Sequence, residues 1–130
     1  GKAALLNEGN DVTIVSYGAA VHWALETLDN NPSISADLID LRSLQPLDMD
    51  CVLNSVKKTS RVIILQEDSI FGGIASDISA QIMEQAFEYL DAPVQRIGSL
   101  NTPIPFASAL EQQYLAKRNF ETALNTLLDY

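Results

Sequence analysis

The order of strand-like and helix-like segments is the feature that most constrains the fold of this chain. Short apolar runs occur at residues 12–17, 35–41, 61–66 and 94–98. Between them, apolar residues recur with the period of an α-helix. Strands that alternate with helices are joined by right-handed crossovers and form mostly parallel sheets. The sequence therefore predicts an α/β fold with helices on both faces of the sheet.

Individual segments can be placed within this scheme. Residues 61–66, RVIILQ, form the most continuous apolar run, so we expect this strand at the sheet centre, where both faces are covered. Residues 3–6, AALL, predict an additional edge strand. Asp48 precedes a helical stretch and is expected to cap its first turn.

Two further helices are indicated by their apolar stripes. Between residues 73 and 90 the pattern predicts one long helix with an apolar stripe and an acidic arc. The stripe consists of Ile74, Ile78, Ile82, Ala86 and Leu90. The acidic arc consists of Asp77, Glu84 and Glu88. A C-terminal helix is predicted from Phe120, Ala123, Leu124 and Leu127, ending near Tyr130. That terminal aromatic residue is interpreted either as a plug in the core or as a contact residue.

Charge restricts the partners that this chain can have. The 17 acidic and 8 basic residues give a formal charge of −9, which repels nucleic acid and anionic membranes. An acidic surface does suit a basic protein partner. Because no signal peptide or apolar membrane span is evident, we expect a cytoplasmic location. The first residue is Gly1 rather than methionine, which suggests either a fragment of a longer chain or a residue left after removal of a tag.

The residue types that usually carry chemistry lack the partners that they would need. Glu67 and Asp68 follow a predicted strand, but adjacent strand residues point to opposite faces, which favours turn and interface hydrogen bonds over acid/base catalysis. His22 and Cys51 are the sole histidine and cysteine, so neither a zinc site nor a nucleophilic constellation is expected. The glycines of residues 71–73, FGG, are interpreted as a tight turn with close packing rather than an anion site. We predict no catalytic, cofactor-binding or metal-binding residue in this chain.

Longer segments carry a family resemblance. DVTIVSYG at residues 11–18, DLIDLRSLQPLD at 37–48 and SVKKTSRVIILQED at 55–68 are followed by FGGIASDISAQI, LDAPVQRIGSLNTPIPFA and LLDY. Together they resemble the transketolase C-terminal-domain family, in particular the β-subunit end of pyruvate and branched-chain 2-oxo acid dehydrogenase E1 components. The resemblance covers almost the whole chain in order.

The resemblance implies a fold and a division of labour. It implies a three-layer α/β/α domain over residues 1–130 with a mixed, mostly parallel five-stranded sheet, whose first strand is antiparallel to the others. It also implies that the parent enzyme uses thiamine diphosphate and magnesium. In this family the cofactor and its activating glutamate belong to other domains, so the isolated chain is expected to be inactive.

Partner contacts are also implied by the family. Its C-terminal domain builds the two-fold E1 interface and receives the basic subunit-binding domain of the E2 acyltransferase. By position, Asp91 and the chain terminus at Tyr130 match the docking region, with Glu88 as an acidic neighbour. The sequence departs from the family pattern at residues 66–69 and at Ala116, which puts local loop shape in doubt.

Two alternatives stay open at this point. A transketolase or a deoxyxylulose-phosphate synthase shares the same C-terminal fold, although the LDAPVQRIG and TPIPFA segments favour the dehydrogenase branch. A free-standing ligand-binding α/β module is the other alternative, since the chain lacks recognisable catalytic residues.

Overall fold

A single mixed sheet organises the chain. A computed structural model describes residues 1–102, 106–109 and 116–130. Within that part, the sheet has the order β1-β3-β2-β4-β5, and its strands are β1 (Ala4–Asn7), β2 (Val12–Ser16), β3 (Ala36–Asp40), β4 (Val62–Ser69) and β5 (Gln95–Ser99). Strand β1 is antiparallel to β3, and the other pairs are parallel. This confirms the predicted mixed sheet with an antiparallel edge strand.

Helices cover the sheet on both sides and complete the three-layer α/β/α fold. They are α1 (Ala19–Asn30), α2 (Met49–Thr59), α3 (Ile74–Ala86) and α4 (Lys117–Leu128), and a 3-10 helix at Phe87–Tyr89 follows α3. The prolines predicted to stiffen residues 102–105, Pro103 and Pro105, lie outside the described residues.

The pleat of the strands divides the core into two halves. Successive strand residues point to opposite faces, so Ile14 packs with α1 and α4 while Val15 packs with α2 and α3. Ile63 and Ile64 alternate in the same way. Both faces of these strands are therefore covered by helices, which explains why their sequences are continuous apolar runs.

The predicted cap and stripes of the helices are present. Asp48 accepts a hydrogen bond from the Cys51 N–H at 3.2 Å, which satisfies a free donor of the first turn of α2. In α4, Phe120, Leu124 and Leu127 are buried. Ala116, one of the positions at which the sequence departs from the pattern that it resembles, is also buried and directly precedes this helix.

Two expectations about the elements are corrected. The RVIILQ strand, β4, is an interior strand, but the middle of the sheet is β2, because β5 alone flanks β4 on its far side. The long helix stops at Ala86 instead of Leu90, because Ala86 leaves the helical region with φ −139° and ψ 14°. A 3-10 turn follows, and Leu90 then becomes extended. The chain can thereby turn toward the start of β5.

Candidate docking surface at the amino edge of the sheet

Ligands of an open α/β sheet usually bind at the carboxyl edge of its parallel strands, so residues at this edge are candidates for a binding or catalytic site. Tyr17 follows β2 and is half-buried, and both Glu67 and Asp68 are exposed near the end of β4. Burial, together with the charges of Asp68 and Glu67, raises the pKa of the Tyr17 hydroxyl. Because the Tyr17 hydroxyl stays protonated at neutral pH, it is a poor general base.

The Gly72 and Gly73 pair serves the turn and the packing that the sequence predicted. Gly72 has φ +72°, a left-handed conformation that favours glycine. A Cβ on Gly73 would lie 2.0 Å from Gln66 Nε2. The buried Gln66 amide donates to the Ser69 carbonyl at 2.7 Å and accepts from the Ala75 N–H at 2.8 Å. The Gln66 side chain thus satisfies the free Ala75 N–H in the first turn of α3.

His22 and Cys51 occupy unremarkable positions. His22 is exposed on α1. Cys51 is half-buried and packs partly against the core half that faces α2. Burial, followed by the charges of Asp48 and Asp37, raises the pKa of the Cys51 thiol. The thiol therefore stays protonated and weakly nucleophilic at neutral pH.

At the opposite edge of the sheet, two of the predicted docking residues are hydrogen-bonded to adjacent positions of the chain. Ser60 and Arg61 lie between the end of α2 and the start of β4. The Asp91 N–H donates to the Ser60 carbonyl at 2.8 Å, and Arg61 Nη2 donates to the Tyr130 carbonyl at 2.7 Å. Asp91 and Tyr130, which are distant in sequence, are therefore anchored to adjacent residues.

The side chains at this edge face solvent. Asp91 and Glu88 are exposed, and Tyr130 is 61% exposed, so Tyr130 is not a plug in the core. We call Ser60, Arg61, Glu88, Asp91 and Tyr130 the amino-edge surface. An open groove of about 640 Å³ adjoins it and is lined by Arg61, Asp11, Ser33, Ile34, Asn125, Leu128 and Asp129.

A buried polar network beneath this edge was not anticipated. Asp37 Oδ2 accepts from Ser55 Oγ at 2.6 Å, and Asp37 Oδ1 accepts from Lys58 Nζ at 2.7 Å. Ser55 contacts the Thr13 hydroxyl at 2.6 Å, and Thr13 contacts the Thr59 hydroxyl at 2.7 Å. The signal available in the sequence was an acidic residue in the middle of an apolar strand run, which indicates a buried carboxylate with partners.

Each hydroxyl of this network has one proton to donate, and this decides which group donates and which accepts. Ser55 has one hydroxyl proton and donates it to the carboxylate of Asp37, so Thr13 must donate to Ser55. Thr59 then has one proton for two acceptors, Thr13 Oγ1 and the Arg61 carbonyl at 3.0 Å. The hydroxyl chain thus runs from Thr59 through Thr13 and Ser55 to Asp37, and it depends on an ionised acceptor at its end.

The described residues form neither a metal-binding group nor a membrane-spanning helix. Among residues 1–102, 106–109 and 116–130, no three acidic, histidine or cysteine side chains are grouped so that they could hold a metal ion. No helix within those same ranges is long and apolar enough to cross a membrane.

Curated relatives of this chain are β subunits of multi-subunit oxidoreductases. The pyruvate dehydrogenase E1 component subunit beta of Rickettsia bellii is 42% identical over 114 residues, covering 86% of this chain. The acetoin:2,6-dichlorophenolindophenol oxidoreductase subunit beta of Cupriavidus necator is 44% identical over 88% of the chain. The mitochondrial 2-oxoisovalerate dehydrogenase subunit beta of Dictyostelium discoideum is 41% identical over 98%. The chain spans 35% of the length of each relative.

A solved structure and a protein-family model indicate the same family as these relatives. The structure titled split gene transketolase, inactive beta4 tetramer, has a TM-score of 0.81 and 30% identity, with 98% of this chain and 41% of that chain covered. Residues 1–119 match the family model described as the transketolase C-terminal domain. This chain therefore belongs to the transketolase C-terminal domain family.

Proposed function

We propose that this chain is the C-terminal assembly and E2-docking domain of a thiamine-diphosphate-dependent 2-oxo acid dehydrogenase E1 component. The parent enzyme would decarboxylate a 2-oxo acid oxidatively and pass the acyl group to lipoyl-E2. One observation carries the docking part of the proposal. Asp91 and Tyr130 are anchored to the neighbouring residues Ser60 and Arg61, with their side chains exposed at one edge of the sheet.

Charge indicates the chemistry of the docking partner. Glu88 and Asp91 present exposed carboxylates on the amino-edge surface, on a chain whose formal charge is −9. A basic protein domain would be attracted to this edge, because complementary charge speeds encounter and fixes orientation. The basic subunit-binding domain of an E2 acyltransferase has this property. Binding driven in this way weakens as ionic strength rises.

Charge reversal at Asp91 tests the docking site. We expect Asp91→Arg to weaken binding of the cognate E2 subunit-binding domain roughly tenfold or more, because attraction becomes repulsion at a contact. Glu67→Arg is the matched control, since Glu67 is an exposed carboxylate at the opposite edge of the sheet. Isothermal titration calorimetry of both variants measures the effect. Equal affinities for the two variants would reject the assignment of Asp91.

The described residues at the carboxyl edge of the sheet do not fit thiamine diphosphate. The carboxyl edge, where a ligand would be expected, carries the exposed carboxylates Glu67 and Asp68, which repel a diphosphate. We therefore assign the cofactor and its magnesium to other domains of the parent enzyme. Calorimetry with thiamine diphosphate and magnesium should show no binding to the 130-residue chain, and micromolar affinity would contradict this assignment.

For assembly, the proposed contact is the apolar side of the carboxyl edge. Phe71 is 84% exposed and Leu100 is 49% exposed. Their loops are held together, because the Phe71 N–H donates to Asn101 Oδ1 at 2.9 Å and Ser69 Oγ donates to the Leu100 carbonyl at 3.1 Å. The split-gene transketolase of similar fold is a tetramer by its title. We propose that a second copy of this chain covers Phe71 and Leu100.

The acetoin-oxidising relative supports a second candidate function. Its identity of 44% is as high as that of the 2-oxo acid dehydrogenase subunits, so the parent enzyme could act on acetoin instead. A transketolase parent is a further alternative on the basis of the solved structure. Assays of the complete parent enzyme with pyruvate, 2-oxoisovalerate, acetoin and a ketose phosphate would separate these candidates.

A further inference from the structure

The backbone of residues 59–61 is fixed from three directions. Ser60 ends α2 in the left-handed conformation, with φ +64°, and its N–H donates to the Val56 carbonyl at 2.8 Å. The Arg61 carbonyl accepts from the Thr13 N–H at 2.8 Å and from the Thr59 hydroxyl at 3.0 Å. The backbone at the root of the Arg61 side chain is therefore held by Thr13 and Thr59, which also belong to the hydroxyl network.

Among the described residues, one hydrogen bond of the Arg61 guanidinium is found, and it goes to the main-chain oxygen of Tyr130. Its Nη2 donates to the Tyr130 carbonyl at 2.7 Å, while its Nε is buried without a hydrogen-bond partner among the described residues. Arg61 also belongs to neither of the two ion pairs found in that part of the chain, Lys58–Asp37 and Lys117–Glu26. A buried, unsatisfied donor is costly, so packing alone does not explain an arginine here.

We propose that Arg61 is a positioning residue of the amino-edge surface, which holds Tyr130 in the orientation that the docking partner requires. This inference rests on the proposed function. The same dipeptide fixes both neighbours, since Ser60 accepts from the Asp91 N–H and Arg61 donates to Tyr130. Holding both in place before binding lowers the entropic cost of docking.

The sign of one substitution separates positioning from a simple charge effect. Arg61 is a cation on a surface proposed to bind a basic domain. If Arg61 acted through its charge alone, Arg61→Met would tighten binding, because a like-charge repulsion would be removed. If Arg61 positions Tyr130, the same change should weaken binding about fivefold, as expected for the loss of one hydrogen bond.

The test is a double-mutant cycle on the 130-residue chain, titrated with the cognate E2 subunit-binding domain. We expect Arg61→Met and deletion of Tyr130 each to weaken binding, and the combined variant to be no weaker than the deletion alone. Arg61→Lys keeps the charge and should regain part of the lost affinity. Arg96→Met is the matched control, since Arg96 donates to Ser76 Oγ on another part of the surface. Unchanged or tighter binding by Arg61→Met would overturn the inference.

A measurement without the partner keeps this inference separate from the proposed function. The ¹⁵N heteronuclear Overhauser effect at Tyr130 should match that of α4 in the unsubstituted chain and fall in Arg61→Met, while thermal unfolding reports whether the variant folds. An unchanged value at Tyr130 in a folded Arg61→Met chain would contradict positioning. If the unsubstituted chain fails to bind the E2 domain, the proposed function is contradicted, and the relaxation measurement then decides the role of Arg61.

Discussion

Asp37 is a buried charge that depends on partners from several segments. Its side chain is 3% exposed and accepts hydrogen bonds from Ser55, Lys58 and the Gly9 N–H. Burial is the largest influence and raises the pKa of this carboxyl, but the hydrogen bonds from Lys58, Ser55 and Gly9 together outweigh burial. The pKa therefore lies below its ordinary value of 3.8.

This lowered pKa has a consequence for stability at acid pH. The folded state binds fewer protons at Asp37 than the unfolded state does, so the stabilisation is complete well above pH 3.8 and is lost as pH falls through the folded pKa. We expect Asp37→Asn to lower the free energy of unfolding by about 3 kcal/mol at pH 7, because Lys58 and Ser55 lose their ionised acceptor. The loss of stability between pH 5 and pH 3 should become shallower.

Urea unfolding across that pH range measures both effects. Asp29→Asn, an exposed carboxylate at the end of α1, serves as the control and should change stability by less than about 0.5 kcal/mol. A pH profile for Asp37→Asn that parallels the profile of the unsubstituted chain would contradict the role assigned to Asp37.

At the scale of elements, the junction between β4 and α3 depends on two glycines in different ways. A Cβ on Gly73 would meet the Gln66 amide at 2.0 Å and the Ser69 carbonyl at 2.8 Å. Around Gly72 there is open space, and only its positive φ disfavours a side chain. The two positions therefore separate steric overlap from backbone strain.

We expect Gly73→Ala to destabilise the fold by about 3 kcal/mol, because the new methyl group displaces the buried Gln66 amide and breaks its hydrogen bonds. Gly72→Ala should cost only about 1 kcal/mol, the usual cost of a left-handed alanine. Chemical denaturation of both variants provides the comparison. Equal losses would show that Gln66 does not pack against Gly73 in solution.

Local patterns were sufficient for the elements but not for their partners. The strands, the Asp48 cap and the stripe of α4 follow from periodicity and capping preference, which depend on neighbouring residues. The Arg61–Tyr130 hydrogen bond joins residues 69 apart, and nothing local marks either of them. The central place of β2 was missed for a related reason, since apolarity reports burial on two faces but not the order of the strands. Asp91 and Tyr130 became candidates through the family resemblance.

The whole molecule presents two chemically different edges. The amino-edge surface is charged and anchored by Ser60 and Arg61, whereas the carboxyl edge exposes Phe71 and Leu100 beside Glu67 and Asp68. An exposed apolar patch of this kind marks a contact surface. We therefore propose different partners for the two edges, the E2 domain for the amino-edge surface and a second copy of the chain for the carboxyl edge.

Substitution of Phe71 tests the second of these assignments. We expect Phe71→Ser to weaken self-association of the chain about thirtyfold in sedimentation equilibrium, because burial of a phenyl ring contributes about 2 kcal/mol. Phe87→Ser is the control, since Phe87 is 67% exposed in the 3-10 turn after α3. An equal effect of both substitutions, or none, would exclude Phe71 from the contact between copies.

The most direct test of the docking role is a calorimetric titration of the unsubstituted 130-residue chain with the cognate E2 subunit-binding domain, at low and at high salt. We predict saturable binding that weakens as salt is added, because the amino-edge surface recognises its partner largely through charge. No measurable binding at low salt, with a chain that circular dichroism shows to be folded, would contradict the proposed function.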